Sequence, residues 1–196
     1  VFGDITDLSL IEKYCSKVDY IIHLAAIISI PFSYYSSKFY IDTNIIGTYN
    51  ILEATKKFNI KKLIHTSTSE IYGTATYVPM DENHPINPQS PYAATKISAD
   101  LLCLSYFKSF NLPVTIIRPF NCIGIGEKRA IGDVNIKSGN IQLAMSHVVP
   151  DIVQKILKGQ DPLHILGNGN QIRHYTYGGD LAEGIRLCIE NDKELI

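Results

Sequence analysis

Two groups of residues in this chain have the types and spacing that chemistry needs. Tyr92 and Lys96 stand four apart in PYAATKISADLLCLSYFKSF, so on a helix they share one face about a turn apart. A phenol with a pKa near 10 is a poor base at neutral pH, and a neighbouring ammonium helps it by favouring the tyrosinate. The same spacing also arises by chance in helices, as an ordinary pair at the edge of a core. The second group is TSTSEIYG, Thr66 to Gly73, where hydroxyls and one carboxylic acid follow the apolar-leaning KKLIH directly. Glu70 there reads either as a catalytic acid or as a solvated loop acid.

Both groups depend on the elements that present them. LSLIEKYCSKV has helical spacing after an apolar stub that ends in Gly3-Asp4. VDYIIHLAA is a short continuous apolar run of the kind buried on both faces of a parallel sheet. From Tyr40 to Phe58, Ile41, Ile45, Tyr49 and Leu52 fall on one helical face. KKLIHTS is again a strand, and Asp81 to Ser90 is a loop. Pro91 then opens a helix whose expected buried stripe is Ala93, Ile97, Leu101 and Leu104. LPVTIIRPF is a strand stopped by Pro119. Alternating strands and amphipathic helices predict an α/β fold with a doubly wound parallel sheet.

Open parallel sheets bind ligands beyond the carboxyl ends of their strands. The polar clusters lie there: Asp4 after the first expected strand, Ala25 and Ala26 after the second, Thr66 to Glu70 after the third, Pro119 and Asn121 after the fourth. Beyond Asn121 the chain turns irregular and glycine-rich from Gly124 to Ser146. A helix over VVPDIVQKILKG, a short strand LHIL, a GNGN turn and a helix from near Asp180 follow. A boundary near residue 120 separates a first portion, 1–120, from a smaller one, 121–196, with 174–190 as a candidate to return to the first.

Composition narrows the function classes. The 196 residues are 45% apolar and 19% charged with net charge -1, which gives no general attraction to nucleic acid or to an anionic membrane. The longest apolar run, Tyr20 to Ile30, is shorter than the roughly 20 residues a membrane span needs. Cys15, Cys103, Cys122 and Cys188 are far apart, and no His/Cys spacing suits a metal. A reducing, cytoplasmic setting is the simplest account. His23, His65 and His174 read as core or loop histidines.

GDITD, DYIIHLAA, DTNIIGTYNILEA, STSEIYG, SPYAATK, RPFN and GNGNQIRHYTY together resemble the extended short-chain dehydrogenases/reductases that modify nucleotide sugars, in family order over nearly the whole chain. STSEIYG and SPYAATK look most like the sugar-nucleotide 4,6-dehydratases. The resemblance implies a Rossmann-type sheet, NAD as cofactor with NADP as the alternative, a nucleotide-diphosphate sugar as substrate, and a homodimer formed through the Tyr40 and Tyr92 helices. It makes Tyr92 the catalytic base, Lys96 the residue that lowers the pKa of Tyr92 and holds the nicotinamide ribose, and Thr68 the hydroxyl partner of the reacting sugar oxygen. Thr68-Ser69-Glu70 resembles the dehydratase triplet, with Glu70 as base at C5 and Ser69 relaying a proton to the C6 oxygen. Asp4 and Ile5 would meet the adenine. Leu24, Ala25, Ala26, Asn44, Thr66, Ser67 and Pro119 would line the rest of the cofactor site. Asn121, Val149 and Arg173 would meet the substrate, an amide and a guanidinium suiting phosphate oxygens.

Departures from the family pattern are equally visible. No glycine-rich pyrophosphate turn occurs; GIGEKR and GNGNQI do not sit between a strand and a helix of a βαβ unit. Asp4 matches a position after the third family strand, so the expectation is a fragment lacking two N-terminal units of roughly 30 residues each. CIGIGEKR and Tyr177 to Asp180 also depart, which bears on sugar specificity. A 4-epimerase or a nucleotide-sugar decarboxylase of the same family is the alternative activity, and a dinucleotide-binding module without catalysis is the alternative class.

Overall fold

Local signals set most element ends. A computed structural model of the chain describes residues 1–125, 136–138, 141–143, 147–165 and 167–191. Helix α1 (Leu8–Cys15) is capped by the Asp7 carboxylate, which accepts from the Leu10 N–H at 3.1 Å. Strand β1 (Tyr20–His23) leads to two short helices, α2 (Ile30–Ser33) and α3 (Ser37–Tyr40). A π-helical segment, Ile41–Ile46, runs from these into α4 (Gly47–Lys57). Strand β2 (Lys62–Thr66) is followed by a 3-10 turn, Ser69–Tyr72. Helix α5 (Pro91–Phe110) starts where the Ser90 hydroxyl accepts from the Ala93 N–H, with Pro91 in its first turn, and stops at Asn111 with φ 54°. The remaining elements are β3 (Val114–Ile117), β4 (Cys122–Ile123), β5 (Ile136–Ser138), β6 (Ile141–Leu143), α6 (Val148–Leu157), β7 (Thr176–Tyr177) and α7 (Gly178–Glu190).

Strands β1, β2 and β3 form a parallel sheet in that order, Ile22 beside Ile64 and His65 beside Ile116. Ile51, Leu52, Leu63, Cys103, Leu112 and Val114 make one buried cluster joining α4 and α5 to the sheet. This is the Rossmann-type α/β architecture, and its strand ends fall together at one rim. A second parallel pair, β4 with β7, extends that rim, and β5 with β6 forms a separate antiparallel pair.

Several expectations about faces need correction. Tyr20 and Ile22 are exposed, so β1 is covered on the face toward α4 and not on both; successive side chains point to opposite faces, and Ile21 and His23 take the covered one. Along α5 the buried face is Tyr92, Thr95, Lys96, Ala99, Asp100 and Cys103, with Ala93. Ile97 and Leu104 are half-buried and Leu101 is exposed. In the Tyr40–Phe58 segment, Ile41 and Tyr49 are exposed while Tyr40, Asn44, Thr48, Ile51 and Leu52 are buried. Tyr40, Asn44, Thr48 and Leu52, four apart, keep one buried face through the π segment, and the series begun at Ile41 lies one residue off it, with Ile41 and Tyr49 outward.

Three other corrections concern strands. Val1 and Phe2 are exposed and form no strand, having no neighbouring ladder among the described residues. Leu163 to Ile165 also form none, and Leu166 lies outside the described residues. Of the stretch expected to be irregular, Ile136–Ser138 and Ile141–Leu143 pair as strands. GIGEKR falls mostly outside the described residues.

Leu63 is fully buried in the cluster that joins both helices to the sheet. Leu63→Ala is expected to lower unfolding free energy by about 2–5 kcal/mol, read as a fall in the urea midpoint; a change under about 0.5 kcal/mol would show that this cluster does not hold the fold.

Candidate active site

The site grows from the last residues of β2. Pairing with the β3 side continues past the strand: the Ser67 N–H donates to the Ile117 carbonyl at 2.7 Å and the Ser69 N–H to the Pro119 carbonyl at 3.2 Å. Thr68 is held extended between these bonds, and its hydroxyl accepts from the Glu70 N–H at 3.2 Å, capping the 3-10 turn. The turn ends at Gly73, where φ is +64° and an added Cβ would lie 2.2 Å from the Asn87 carbonyl oxygen. Only glycine fits that exit, so it fixes where Ser69 and Glu70 sit.

Helix α5 brings the second group to the same place. Tyr92 and Lys96 are both buried, at 6% and 3% exposure. The Thr68 side chain lies close enough to the Tyr92 phenol to favour its ionised form, and the Lys96 ammonium donates to the Thr66 carbonyl at 2.6 Å. Burial pushes the Tyr92 pKa up; the Thr68 side chain opposes this, while the negative charges of Glu70 and Asp100 add to it. Burial pushes the Lys96 ammonium down, and the Asp100 charge opposes that. The influences on the phenol are therefore burial, Thr68, Glu70 and Asp100, whereas Lys96 ties α5 to the end of β2. Glu70 is exposed, Ser69 half-buried.

The other cofactor-side residues divide by what their polar atoms do. Asn44 uses its whole amide: it accepts from the Ile27 N–H at 2.9 Å and donates to the Ile27 carbonyl at 3.0 Å and the Thr95 hydroxyl at 3.1 Å. It thus fixes the loop after β1 against α5. Asp4 accepts from both the N–H and the hydroxyl of Thr6, which holds its carboxyl below the usual range. The Ile5 carbonyl accepts from Asn50, and Gly47 gives the Ile5 side chain room, since a Cβ there would meet Ile5 Cδ1 at 2.3 Å. Leu24 and Ala25 are exposed at the end of β1, Ala26 and Pro119 half-buried. Ser67 donates to Asp100 at 2.8 Å.

These residues fit a dinucleotide on two observations. The strand-end rim at Ala25 and Ala26 carries nothing larger than a methyl, which permits close backbone approach. The Thr66 hydroxyl is buried without a hydrogen-bond partner at the same rim, beside the Lys96 ammonium.

The expected substrate residues sit around β4 and β7. Asn121, at φ 33°, donates its amide to the His174 carbonyl at 2.9 Å, and its own carbonyl accepts from Thr176. Arg173 is adjacent and exposed, with one N–H on the Ile172 carbonyl. Val149, in the first turn of α6, lines an open apolar cavity of ≈ 380 Å³ with Ile123, Pro150, Val153 and Tyr177. Asn121 thus meets the residue that follows Arg173, and Val149 lines a cavity with Ile123 and Tyr177 of the same β4–β7 pair.

Sequence reasoning missed the charged layer beneath the site. Asp100, 2% exposed, takes the Ser67 hydroxyl, and Arg118 Nε and His65 Nε2 each lie 3.4 Å from it. Its signal was the continued four-residue spacing, Tyr92, Lys96, Asp100. His23 is satisfied by the Thr48 hydroxyl at 3.0 Å, but neither nitrogen of His65 has a well-formed hydrogen bond.

A family model described as NAD dependent epimerase/dehydratase family matches residues 1–195. A dTDP-glucose 4,6-dehydratase of Actinoplanes sp. is 30% identical over 189 residues, 96% of this chain and 54% of that protein. Among solved structures, the dTDP-glucose 4,6-dehydratase DesIV of Streptomyces venezuelae, with NAD and TYD bound, gives a TM-score of 0.83 at 28% identity, over 99% of this chain and 55% of that one. A UDP-N-acetylglucosamine 4-epimerase of Methanobrevibacter ruminantium, in complex with UDP-N-acetylmuramic acid, gives 0.84 at 32%, over 99% and 58%. The chain therefore spans about half the length of the relatives it matches.

His23 offers a test of this layer. Burial, and then the nearby His65 and Lys96, push its pKa down to about 3, against roughly 6.5 in an unfolded chain. Between those values the unfolded state binds a proton that the folded state does not, so stability falls as pH drops through that window, by up to ~1.4 kcal/mol per pH unit. Urea midpoints between pH 4.5 and 7 are expected to depend less on pH in His23→Gln than in the wild type. An unchanged slope would mean His23 is not held neutral.

Proposed function

The chain belongs to the NAD dependent epimerase/dehydratase family, and from that premise we propose that it forms the catalytic portion of a nucleotide-sugar 4,6-dehydratase, producing a 4-keto-6-deoxy sugar nucleotide. One observation carries this reading: Glu70 is set on a turn capped by Thr68, close enough for its charge to act on the Tyr92 phenol. This supports a phenol and a carboxylate acting within one site, one for each proton a dehydratase must take.

Each residue has a role in this reading. Tyr92 takes the proton of the C4 hydroxyl, and Thr68 hydrogen-bonds the same oxygen. The resulting ketone acidifies C5, and Glu70 removes that proton. Ser69 relays a proton to the C6 oxygen, which leaves as water. Asp4, Ile5, Leu24, Ala25, Ala26, Thr66 and Lys96 would hold NAD, which would supply the acceptor for the C4 hydride and the source of the hydride that C6 takes up after water has left. Asn44, Ser67 and Pro119 shape that site. Asn121, Val149 and Arg173 would hold the substrate.

The substrate is a nucleotide-diphosphate sugar of the UDP-N-acetylglucosamine or GDP-mannose type, and the relatives add dTDP-glucose to the compounds worth testing. A 4-epimerase is the second reading, favoured by the higher identity of a UDP-N-acetylglucosamine 4-epimerase, 32% against 28% for the dehydratase structure. A division at residue 120 is supported by the separate β4–β7 pair, and a return of 174–190 by α7 lying against β2.

With the whole protein and NAD, mass spectrometry of the product decides between the readings: a dehydratase yields a product lighter by one water, an epimerase an isomer. Glu70→Gln is expected to slow formation of the 4-keto-6-deoxy product by about 10²–10⁴ while transient cofactor reduction persists. Product at the full rate would remove Glu70 from the base role. Exposed Ile41, Ile46 and Tyr49 beside the Tyr40 helix and exposed Leu101 on α5 support a homodimer. Light scattering should give twice the chain mass for the wild type and the single mass for Leu101→Glu; a monomeric wild type would end that proposal.

A further inference from the structure

The carboxylate of Asp100 is among the least exposed charged groups described, and the reaction steps above do not use it. It lies one helical turn beyond Lys96 on the buried face of α5. One oxygen accepts the Ser67 hydroxyl at 2.8 Å and faces Arg118 Nε at 3.4 Å; the other is left without a hydrogen bond, 3.4 Å from His65 Nε2. Arg118 in turn donates to the Tyr72 phenol at 3.0 Å, at the far end of the turn that carries Ser69 and Glu70.

A purely structural account of this arrangement is weak. Buried ion pairs contribute little net stability, because desolvation offsets their attraction, and apolar residues of similar volume do as well or better. What the carboxylate does accomplish is geometric. Helix α5 grips the end of β2 at two consecutive residues, Lys96 on the Thr66 carbonyl and Asp100 on the Ser67 hydroxyl, and the next residue is Thr68.

We propose that Asp100 is a positioning residue: by holding Ser67 and Arg118 it fixes the β2 exit and the following turn so that Thr68 and Glu70 face Tyr92. Its negative charge also favours the ammonium form of the buried Lys96. His23, His65 and Cys103 are the other titratable groups acting on or facing this layer, and both histidines are held toward the neutral form by burial. Asp100 is therefore the layer's anionic partner for both Lys96 and Arg118.

This inference rests on the dehydratase reading for its catalytic consequence but not for its structural one, so two measurements are needed. In the whole protein with NAD, Asp100→Asn is expected to lower kcat by about tenfold or more with KM for the nucleotide sugar within about threefold, as a small misplacement of reacting groups does. Hydrogen exchange should accelerate by about tenfold at residues 67–72 while residues 63–65 of β2 keep their protection. Ser67→Ala, which deletes one donor only, should show the same local pattern at smaller amplitude and serves if Asp100→Asn does not fold. An unchanged kcat in an active enzyme overturns the proposal. So does unchanged exchange at 67–72, or an acceleration spread evenly over β2, which would mark general destabilisation. If the wild type turns over no nucleotide sugar, the dehydratase reading fails, and the exchange pattern alone decides the positioning role.

Discussion

The hydrogen bond from the Lys96 ammonium to the Thr66 carbonyl is the constraint around which this structure is arranged. A cation at 3% exposure needs oxygen partners and a nearby negative charge, and Thr66 and Asp100 supply them. That requirement fixes which face of α5 turns to the sheet. Once Lys96 points inward, Tyr92 and Asp100, each a turn away, must point inward too. The strand end is drawn under the helix, and the Thr68 hydroxyl meets the phenol as a consequence.

The same constraint explains where sequence reading succeeded and where it did not. Pro91 marks the start of α5, and the four-residue spacing places Tyr92 with Lys96. The buried stripe was misjudged because α5 is apolar on more than one side, and the inward side is the one with the lysine and the aspartate. A rule that sends apolar residues inward cannot choose between two apolar faces when hydrogen-bonded polar groups decide the matter. The Tyr40–Phe58 segment shows a second cause. Asn44, Thr48 and Thr55 are buried because each hydrogen-bonds within the fold. Asp100 was legible in principle as the third member of the Tyr92–Lys96 series, but nothing in the sequence alone distinguishes a buried aspartate from a solvated one.

On the substrate side, recognition chemistry and scaffolding compete for the same atoms. Asn121 has the amide suited to phosphate oxygens, yet its N–H₂ already binds the His174 carbonyl and helps join β4 to β7. Its neighbour Arg173 keeps most of its guanidinium donors toward solvent. Of the two, Arg173 is the better supplied for an incoming anion, and Asn121 is what places it there, through the residue next to it. The apolar wall of Val149, Val153 and Tyr177 lines a cavity with Ile123 of β4 and suits the uncharged part of a ligand.

The acid at the rim has an electrostatic consequence that bears on the reaction. A carboxylate near Tyr92 raises the phenol's pKa and so works against the first proton transfer. An enzyme that only oxidises and re-reduces C4 gains nothing from that penalty; a neutral residue at position 70 would serve it better. An enzyme that must also take the C5 proton needs a base there, and tolerates a harder first step in return for the second. Thr68 moderates the conflict by favouring the ionised phenol while its hydroxyl caps the turn that carries Glu70. Under the proposed dehydratase reading, Glu70 is therefore a residue with work of its own, whose charge reaches the Tyr92 phenol.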